Sequence, residues 1–285
     1  MLDTRKICVV GGDLRAVFLA AALIEKGHFV TCFALDKDER AQSDYPTLET
    51  ALMRCDTVVL PMPLTKDGRN IFAPLSDTQL PLDGSLEKLL AGKLVFVGGA
   101  LKLRERIDCS GFKIIDYLEC EELAVGNAVL TAEGALACAI NASPITLCNT
   151  RCLVAGFGRI GKALAQRLNA LGADVTVSAR RESDLAWIKA CGYPAAKTAE
   201  LSSCGRFEFV FNTVPAMIFD ERTLAAVCSR ESTVIDLASE PGGVDLSAAN
   251  RLGINAFTAP ALPGRTSPKT AGELIAETIS NKLDT

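Results

Sequence analysis

The sequence predicts an α/β chain of two successive domains, each on a parallel sheet. Short apolar runs alternate with helical periodicity from end to end, the pattern of strands joined by crossover helices. Glycine or proline turns follow the runs of the first half, at Gly11-Gly12-Asp13, Pro61-Met62-Pro63 and Gly98-Gly99. The alternation then restarts after an Ala- and Leu-rich stretch, 121–142, that Pro144 closes. A length of 285 residues, 49% hydrophobic and 22% charged, suits two domains.

In the first half, strands are expected at 7–10, 29–34, 57–60, 94–97 and 113–116, with helices at 14–26, 48–53 and 86–90. The stretch 121–142 has few breakers and reads as a long helix connecting the domains. In the second half, strands are expected at 152–155, 174–178, 207–211, 233–237 and 255–257. Helices fall between them at 160–171, 183–190, 221–227 and 246–252, and a last one runs over 270–282 after Pro268. The domain reading is 1–125, a connecting helix within 126–148, and 149–269, with the tail 270–285 helical.

Composition removes several function classes. A formal net charge of -4 supplies no general attraction to polyphosphate or an anionic bilayer, so neither nucleic acid nor membrane is an expected partner. With His28 as the one histidine, paired-histidine zinc sites are excluded and no metal is expected. The eleven cysteines are scattered, odd in number and free of any CxxC pair, and most sit in apolar runs as small hydrophobes of a reduced compartment. No window reads as a membrane span and the amino-terminal apolar run is too short for a signal sequence, so the chain is expected to be soluble and cytoplasmic.

The strongest motif is Leu153-Val-Ala-Gly156-Phe157-Gly158-Arg159-Ile160-Gly161, which leaves a predicted strand and opens an amphipathic helix. In that context G-x-G-x-x-G is a dinucleotide fingerprint. Gly156 permits the turn, Gly158 lets main chain approach a pyrophosphate, and Gly161 lets helix and strand pack closely. The phosphates then meet unpaired N–H groups at the positive end of the helix. Nineteen residues after Gly161, where an NAD enzyme places a carboxylate on the ribose, stand Ser178-Ala-Arg180-Arg181. A hydroxyl and two guanidiniums suit the 2'-phosphate of NADP, and charge-assisted hydrogen bonds of about 1.5–3 kcal/mol each decide the preference. Asn212-Thr213-Val214-Pro215 and Leu237-Ala238-Ser239, followed by Glu240-Pro-Gly242-Gly243, end two further strands on the same crevice. The small residues and paired glycines of the second loop suit close approach of main chain to a ring.

Other signals are less specific. Gly11-Gly12-Asp13-Leu14-Arg15 lacks the third glycine of a fingerprint. Arg15 is a candidate for a substrate carboxylate, or a surface arginine behind a capping Asp13. The segment Ala259–Gly272 reads as a proline- and glycine-rich loop that runs into a helix, where Arg265, Lys269 and Thr270 are candidate anion contacts. His28, in a helix-to-strand turn, reads as structural.

Together these segments resemble the A-subunit family of dipicolinate synthases along essentially the whole chain. The likeness lies in the Gly-Gly-Asp-x-Arg opening, the fingerprint, Ala179-Arg180-Arg181 with Asp184-Leu-Ala-Trp187, Phe211-Asn-Thr-Val-Pro215, Asp236-Leu-Ala-Ser-Glu-Pro-Gly-Gly243, and Leu262-Pro-Gly264 to Lys269-Thr-Ala-Gly272. The resemblance implies a Rossmann domain with a flavodoxin-like amino-terminal domain, arranged as in formate/glycerate (2-hydroxyacid) dehydrogenases, the last helix packing back on the first domain. It also implies NADP, a flavoprotein B subunit and a place in the mother cell of a sporulating bacterium; a homo-oligomer is expected beside these. Arg265 departs from the lysine usual in the family, keeping the charge but changing its geometry.

The function so implied is NADP-dependent oxidation of a dihydrodipicolinate-type intermediate to dipicolinate, whose aromaticity supplies driving force. Arg15, Arg265, Lys269 and Thr270 are then the carboxylate contacts, and the proton acceptor is unassigned. Two other readings stand beside it: a 2-hydroxyacid or amino-acid dehydrogenase, which a single histidine serves poorly, and a non-catalytic NADP-binding subunit that organises a flavoprotein.

Overall fold

Lys6–Val10 (β1) has one exposed and four buried residues, as expected of a strand covered on both faces. It ends in Gly11 and Gly12, both at positive φ, and Asp13 then caps Leu14–Glu25 (α1) by accepting the Arg15 N–H. Phe29–Phe33 (β2), Leu48–Leu52 (α2), Thr57–Val59 (β3), Gly84–Leu90 (α3), Leu94–Val97 (β4), Ala100–Arg104 (α4) and Lys113–Asp116 (β5) follow. All neighbouring strands are parallel, in the order β2-β1-β3-β4-β5, the flavodoxin-like arrangement. The molecule is a computed structural model that describes residues 4–43 and 45–283.

The short helix α4 is not expected behind Gly98-Gly99. Its start is held by Asp116, whose carboxylate accepts the N–H groups of Gly99 and Ala100 at 3.2 and 2.7 Å, a partner sixteen residues away that no local pattern reveals.

The long helix Glu121–Ala142 (α5) leads to Arg151–Ala155 (β6), Arg159–Ala170 (α6), Asp174–Ala179 (β7), Glu182–Ala190 (α7), Ala195–Lys197 (β8) and Phe209–Asn212 (β9). Glu221–Val227 (α8), Thr233–Asp236 (β10), Leu246–Leu252 (α9), Asn255–Thr258 (β11), Leu262–Thr266 (α10) and Pro268–Leu283 (α11) complete the chain. The second sheet is also fully parallel, in the order β8-β7-β6-β9-β10-β11, a Rossmann sheet. Strand β9 starts two residues later than expected because the Phe207 N–H bonds to Val227 O at 2.8 Å instead of joining the ladder. The segment read as a loop before the last helix contains α10, and α11 begins at Pro268 itself, which sits well in the first turn. The expected end of that helix at 285 lies outside the described residues, as do residues 1–3 of the expected first domain.

Two compact units result. One comprises the residues up to Gly126 and those from Ser267 on; the other runs from Asn127 to Thr266. The boundary falls inside α5, so residues 127–142, expected as a connector, belong to the second unit. Within the first unit α11 packs on α1, where Ile275, Ala276 and Ile279 join the core of Val17, Ala20 and Leu23. Gly272 permits that approach: a Cβ there would stand 2.5 Å from Arg15 O.

One expectation needs correction at α5. By length and composition this helix is apolar enough to cross a membrane, with an 18-residue window of mean hydropathy 1.6. Alanine and valine raise that mean without a leucine-rich run. Its Ala132, Ala135 and Ala139 are fully buried in the second unit's core beside Leu164 and Leu168.

Candidate functional site

The carboxyl ends of β6 and β9 mark the point where strand order reverses in the second sheet, the place where open α/β sheets bind ligands. The Gly156 N–H donates to Ser178 O at 2.9 Å, holding the turn against β7. Gly156 adopts φ +100°, and a Cβ would come within 2.4 Å of Thr213 Oγ1. Gly161 is tighter still, 2.0 Å from Gly156 O for the same imagined atom. Gly158 is different in kind: nothing lies within 4 Å of its Cβ position, and as N-cap of α6 it leaves the first-turn N–H groups without a side-chain cap. No acidic residue occupies that turn. An open, donor-rich, uncapped helix start fits the pyrophosphate of a dinucleotide. Arg159 and Ile160 open the helix, while the half-buried Phe157 packs on the core and lies under Lys162 Nζ at 5.2 Å, turned to the α6 side.

At the end of β7 the predicted residues separate. Ser178 is fully buried and its Oγ has no hydrogen-bond partner, so the hydroxyl does not reach solvent beside the arginines. Arg180 is exposed, whereas Arg181 forms a 2.8 Å ion pair with Asp184 in the first turn of α7.

The loops after β9 and β10 are joined by a buried network. Asn212 is fully buried; its amide donates to Asp236 Oδ1 at 2.8 Å and Val214 O at 3.0 Å, and its Oδ1 accepts the Val214 N–H. Asp236, 3% exposed, also accepts the N–H groups of Ala238 at 3.1 Å and Gly243 at 2.8 Å. Thr213 Oγ1 donates to Ala155 O at 2.8 Å, stitching β9 to β6. Asn212 and Thr213 thus shape the loops with their polar atoms, and Pro215, Ala216 and Ser239 form the exposed rim, with Leu237 buried behind and Ala238 half-buried. The paired glycines correct the expectation attached to them. A Cβ on Gly243 would meet Ala216 O, Asn212 Nδ2 and Val214 O within 2.7 Å, and one on Gly242 would meet Asp236 Oδ2. These glycines make room for the neighbouring loop and a carboxylate, not for a ring. Asp236 itself was missed; its only signal was a carboxylate at a strand end ahead of small residues.

In the first unit the carboxyl ends of β1 and β3 enclose space for about one water, some 20 Å³, among Gly12, Asp13, Arg15, Pro61, Met62 and Tyr117. Arg15 is 6% exposed, and its guanidinium makes a bidentate pair with Asp13 at 2.9 and 2.8 Å and donates to Met62 O. Tyr117 Oη donates to Leu60 O at 2.9 Å, and burial pushes the phenol well above its ordinary range. This arrangement ties the loop after β3 to the start of α1.

Arg265 and Thr266 lie exposed on α10 at the edge of an open groove of about 390 Å³ in the second unit, lined also by Cys138, Phe257 and Leu262. Lys269 and Thr270 are exposed in the first turn of α11, in the first unit, with Glu273 3.8 Å from Lys269 Nζ. His28 is buried at the amino end of β2, away from the ligand-binding edge, and its Nδ1 accepts the Arg5 N–H. Burial raises the thiols of Cys32 to about 11 and of Cys152 and Cys228 to about 12, as for packed, unreactive sulfur. Among the described residues no group of three His, Cys, Asp or Glu side chains is placed to hold a metal.

A flavodoxin-like unit, a Rossmann unit and an uncapped glycine loop define the two-domain α/β fold of the dinucleotide-binding dehydrogenases. A transhydrogenase from Sinorhizobium meliloti shares it, with a TM-score of 0.66 at 13% identity over 96% of this chain and 92% of its own. Residues 6–118 match the family model for the N-terminal domain of the dipicolinate synthase A subunit. The chain is 30% identical to the dipicolinate synthase A subunit of Bacillus subtilis (strain 168) over 289 residues, 99% of this chain and 97% of the relative. The crystal structure of the dipicolinate synthase A subunit from Bacillus halodurans superposes with a TM-score of 0.87 at 26% identity, covering 100% and 99% of the two chains. The chain belongs to the family of dipicolinate synthase A subunits.

Proposed function

We propose that this chain is an oxidoreductase subunit that binds NADP on its second unit and takes part in oxidising a dihydrodipicolinate-type dicarboxylate to dipicolinate. The observation that carries the reading is the open Gly158 position at an uncapped helix start, in a chain similar along its whole length to dipicolinate synthase A subunits. Bound there, NADP supplies a hydride acceptor. The N–H groups of the first turn of α6 hold the pyrophosphate, and Gly158 lets it come close. Arg180, exposed at the end of β7, supports the 2'-phosphate. Arg181 is the weaker contributor because Asp184 already neutralises it.

The candidate carboxylate contact on the nucleotide-binding unit is Arg265, exposed on α10. Arg15 serves indirectly: with Asp13 it fixes Met62 and so the loop after β3. The name of the relatives as A subunits supports a partner, for which a flavoprotein B subunit is the expectation, and a cytoplasmic reaction suits a pathway intermediate. The test is to mix the purified chain, alone and with its partner flavoprotein, with dihydrodipicolinate and NADP. Formation of pyridine dicarboxylate absorbance together with reduced nicotinamide is expected. Tight NADP binding with no turnover in either mixture would favour the non-catalytic subunit reading.

A further inference from the structure

We infer that Asp236 is a positioning residue for the redox half of the dinucleotide, fixing the loops after β9 and β10 and biasing the site toward the oxidised, positively charged ring. The inference rests on the nicotinamide reading of the preceding section.

The geometry is that of one carboxylate serving two loops. Oδ1 accepts from Asn212 Nδ2 and the Ala238 N–H, and Oδ2 from the Gly243 N–H. Gly243 O in turn accepts the N–H groups of Ile218 and Phe219 at 3.0 and 2.9 Å, so this glycine joins Asp236 through its N–H and the segment after β9 through its carbonyl. Every partner of Asp236 is an N–H donor, so the network is built around the carboxylate form. Among the described residues no lysine or arginine pairs with it. Glu240, in the same loop, is exposed and screened by water.

A buried carboxylate held by neutral donors keeps its field in the low-dielectric interior. The loops it anchors lie on the side of a Rossmann sheet that takes the nicotinamide. That ring carries a positive charge when oxidised and none when reduced. A nearby fixed anion therefore stabilises the oxidised form selectively. A unit charge acting over about 10 Å of protein interior corresponds to roughly tenfold in an equilibrium. A carboxylate with a merely structural role would weaken both forms alike when altered.

The experiment measures dissociation constants of NADP and NADPH, using quenching of the single tryptophan, Trp187, on wild type, Asp236→Asn and Asn212→Ser. Wild type is expected to bind the oxidised form at least as tightly as the reduced form. Asp236→Asn is expected to raise the oxidised-to-reduced ratio of dissociation constants about tenfold, raising the bound two-electron potential by about 30 mV. Asn212→Ser keeps the carboxylate and loosens the loop; it is expected to weaken both forms and leave their ratio unchanged. An unchanged ratio in Asp236→Asn, or an equal shift in Asn212→Ser, overturns the inference while leaving the cofactor reading intact. Should Asp236→Asn not fold, a wild type that binds the reduced form more than about tenfold tighter overturns it as well. If wild type binds neither form, nor NAD or NADH, the cofactor reading itself falls and this inference with it.

Discussion

Two glycines three residues apart should answer the same substitution in opposite ways. At Gly161 an added methyl would stand 2.0 Å from Gly156 O, a main-chain atom that no rotamer change can move aside. Helix α6 must then shift off the end of β6, whose turn is pinned by Gly156 to Ser178. Overpacking of this kind costs about 1–3 kcal/mol, and contact with rigid main chain puts Gly161→Ala near the upper figure. For a chain of this size that is roughly 6–12 °C in melting temperature. At Gly158, φ is -78° and ψ -165°, which alanine adopts freely, and nothing lies within 4 Å of the new carbon. Gly158→Ala should therefore melt no lower than wild type, and up to about 1 kcal/mol more stably because its unfolded chain is less free. On the proposed cofactor reading the same methyl stands in the path of the pyrophosphate, so NADP affinity should fall at least about tenfold, about 1.4 kcal/mol. Calorimetric melting without ligand and titration with NADP read the two effects separately. A Gly158→Ala variant with wild-type affinity, or a Gly161→Ala variant melting within about 2 °C of wild type, would refute the assignment of roles.

Other outcomes follow from single contacts. Arg180→Ala should weaken NADP by roughly 10- to 100-fold, the worth of one charge-assisted hydrogen bond, with NAD little changed; Arg181→Ala should do less, and equal losses of both nucleotides in a fluorescence titration would contradict this. Gly272→Ala drives a methyl to 2.5 Å from Arg15 O and 2.8 Å from Leu19 N, so a melt should show destabilisation of about 1–3 kcal/mol with NADP affinity retained. The Arg40 side chain bonded to Asp38 lowers that carboxyl from 3.8 to about 2. A folded pKa below the unfolded one adds stability above about pH 4 that disappears as pH falls toward 2; urea melts of Asp38→Asn across that window should show a shallower acid loss than wild type. Arg265→Ala should raise the KM for the dicarboxylate and leave NADP affinity unchanged, as steady-state kinetics beside a titration would show.

The sheets were legible because buried parallel strands are short apolar runs, and because glycine turns punctuate their ligand-binding ends. Helix α5 was read to its observed limits, Glu121–Ala142, since Pro144 stops it and nothing inside breaks it. Strand β8, Ala195–Lys197, has neither branched nor aromatic residues and exists because it pairs with β7 at Val177 to Ala179. Helix α10 was hidden by Pro263 and Gly264, yet Leu262 is buried there and Thr266 Oγ1 bonds back to Leu262 O. The tight turn at Gly156 and the close packing at Gly161 were legible, and Gly158 faces open space. What Asn212, Ser178 and Gly243 do was not, because their partners are Asp236, the core interior and Ala216, and those distances are set by tertiary packing. A glycine before a ligand and a glycine before another loop look alike in a sequence.

The first unit is made of two pieces of chain, and the second interrupts it from Asn127 to Thr266. On the ribosome this sets an order of events. The interruption is 140 residues (266 minus 126), which at ordinary elongation rates of 5–20 residues per second takes about 7–28 seconds to emerge. For that time α1 lacks the partner that will cover Val17 and Ala20, since Ile275 and Ala276 have not been translated. The second unit, continuous in sequence, can close its sheet first. The nascent chain thus carries a second unit that matures early and an unfinished first unit whose apolar helix face needs shelter until α11 has been made.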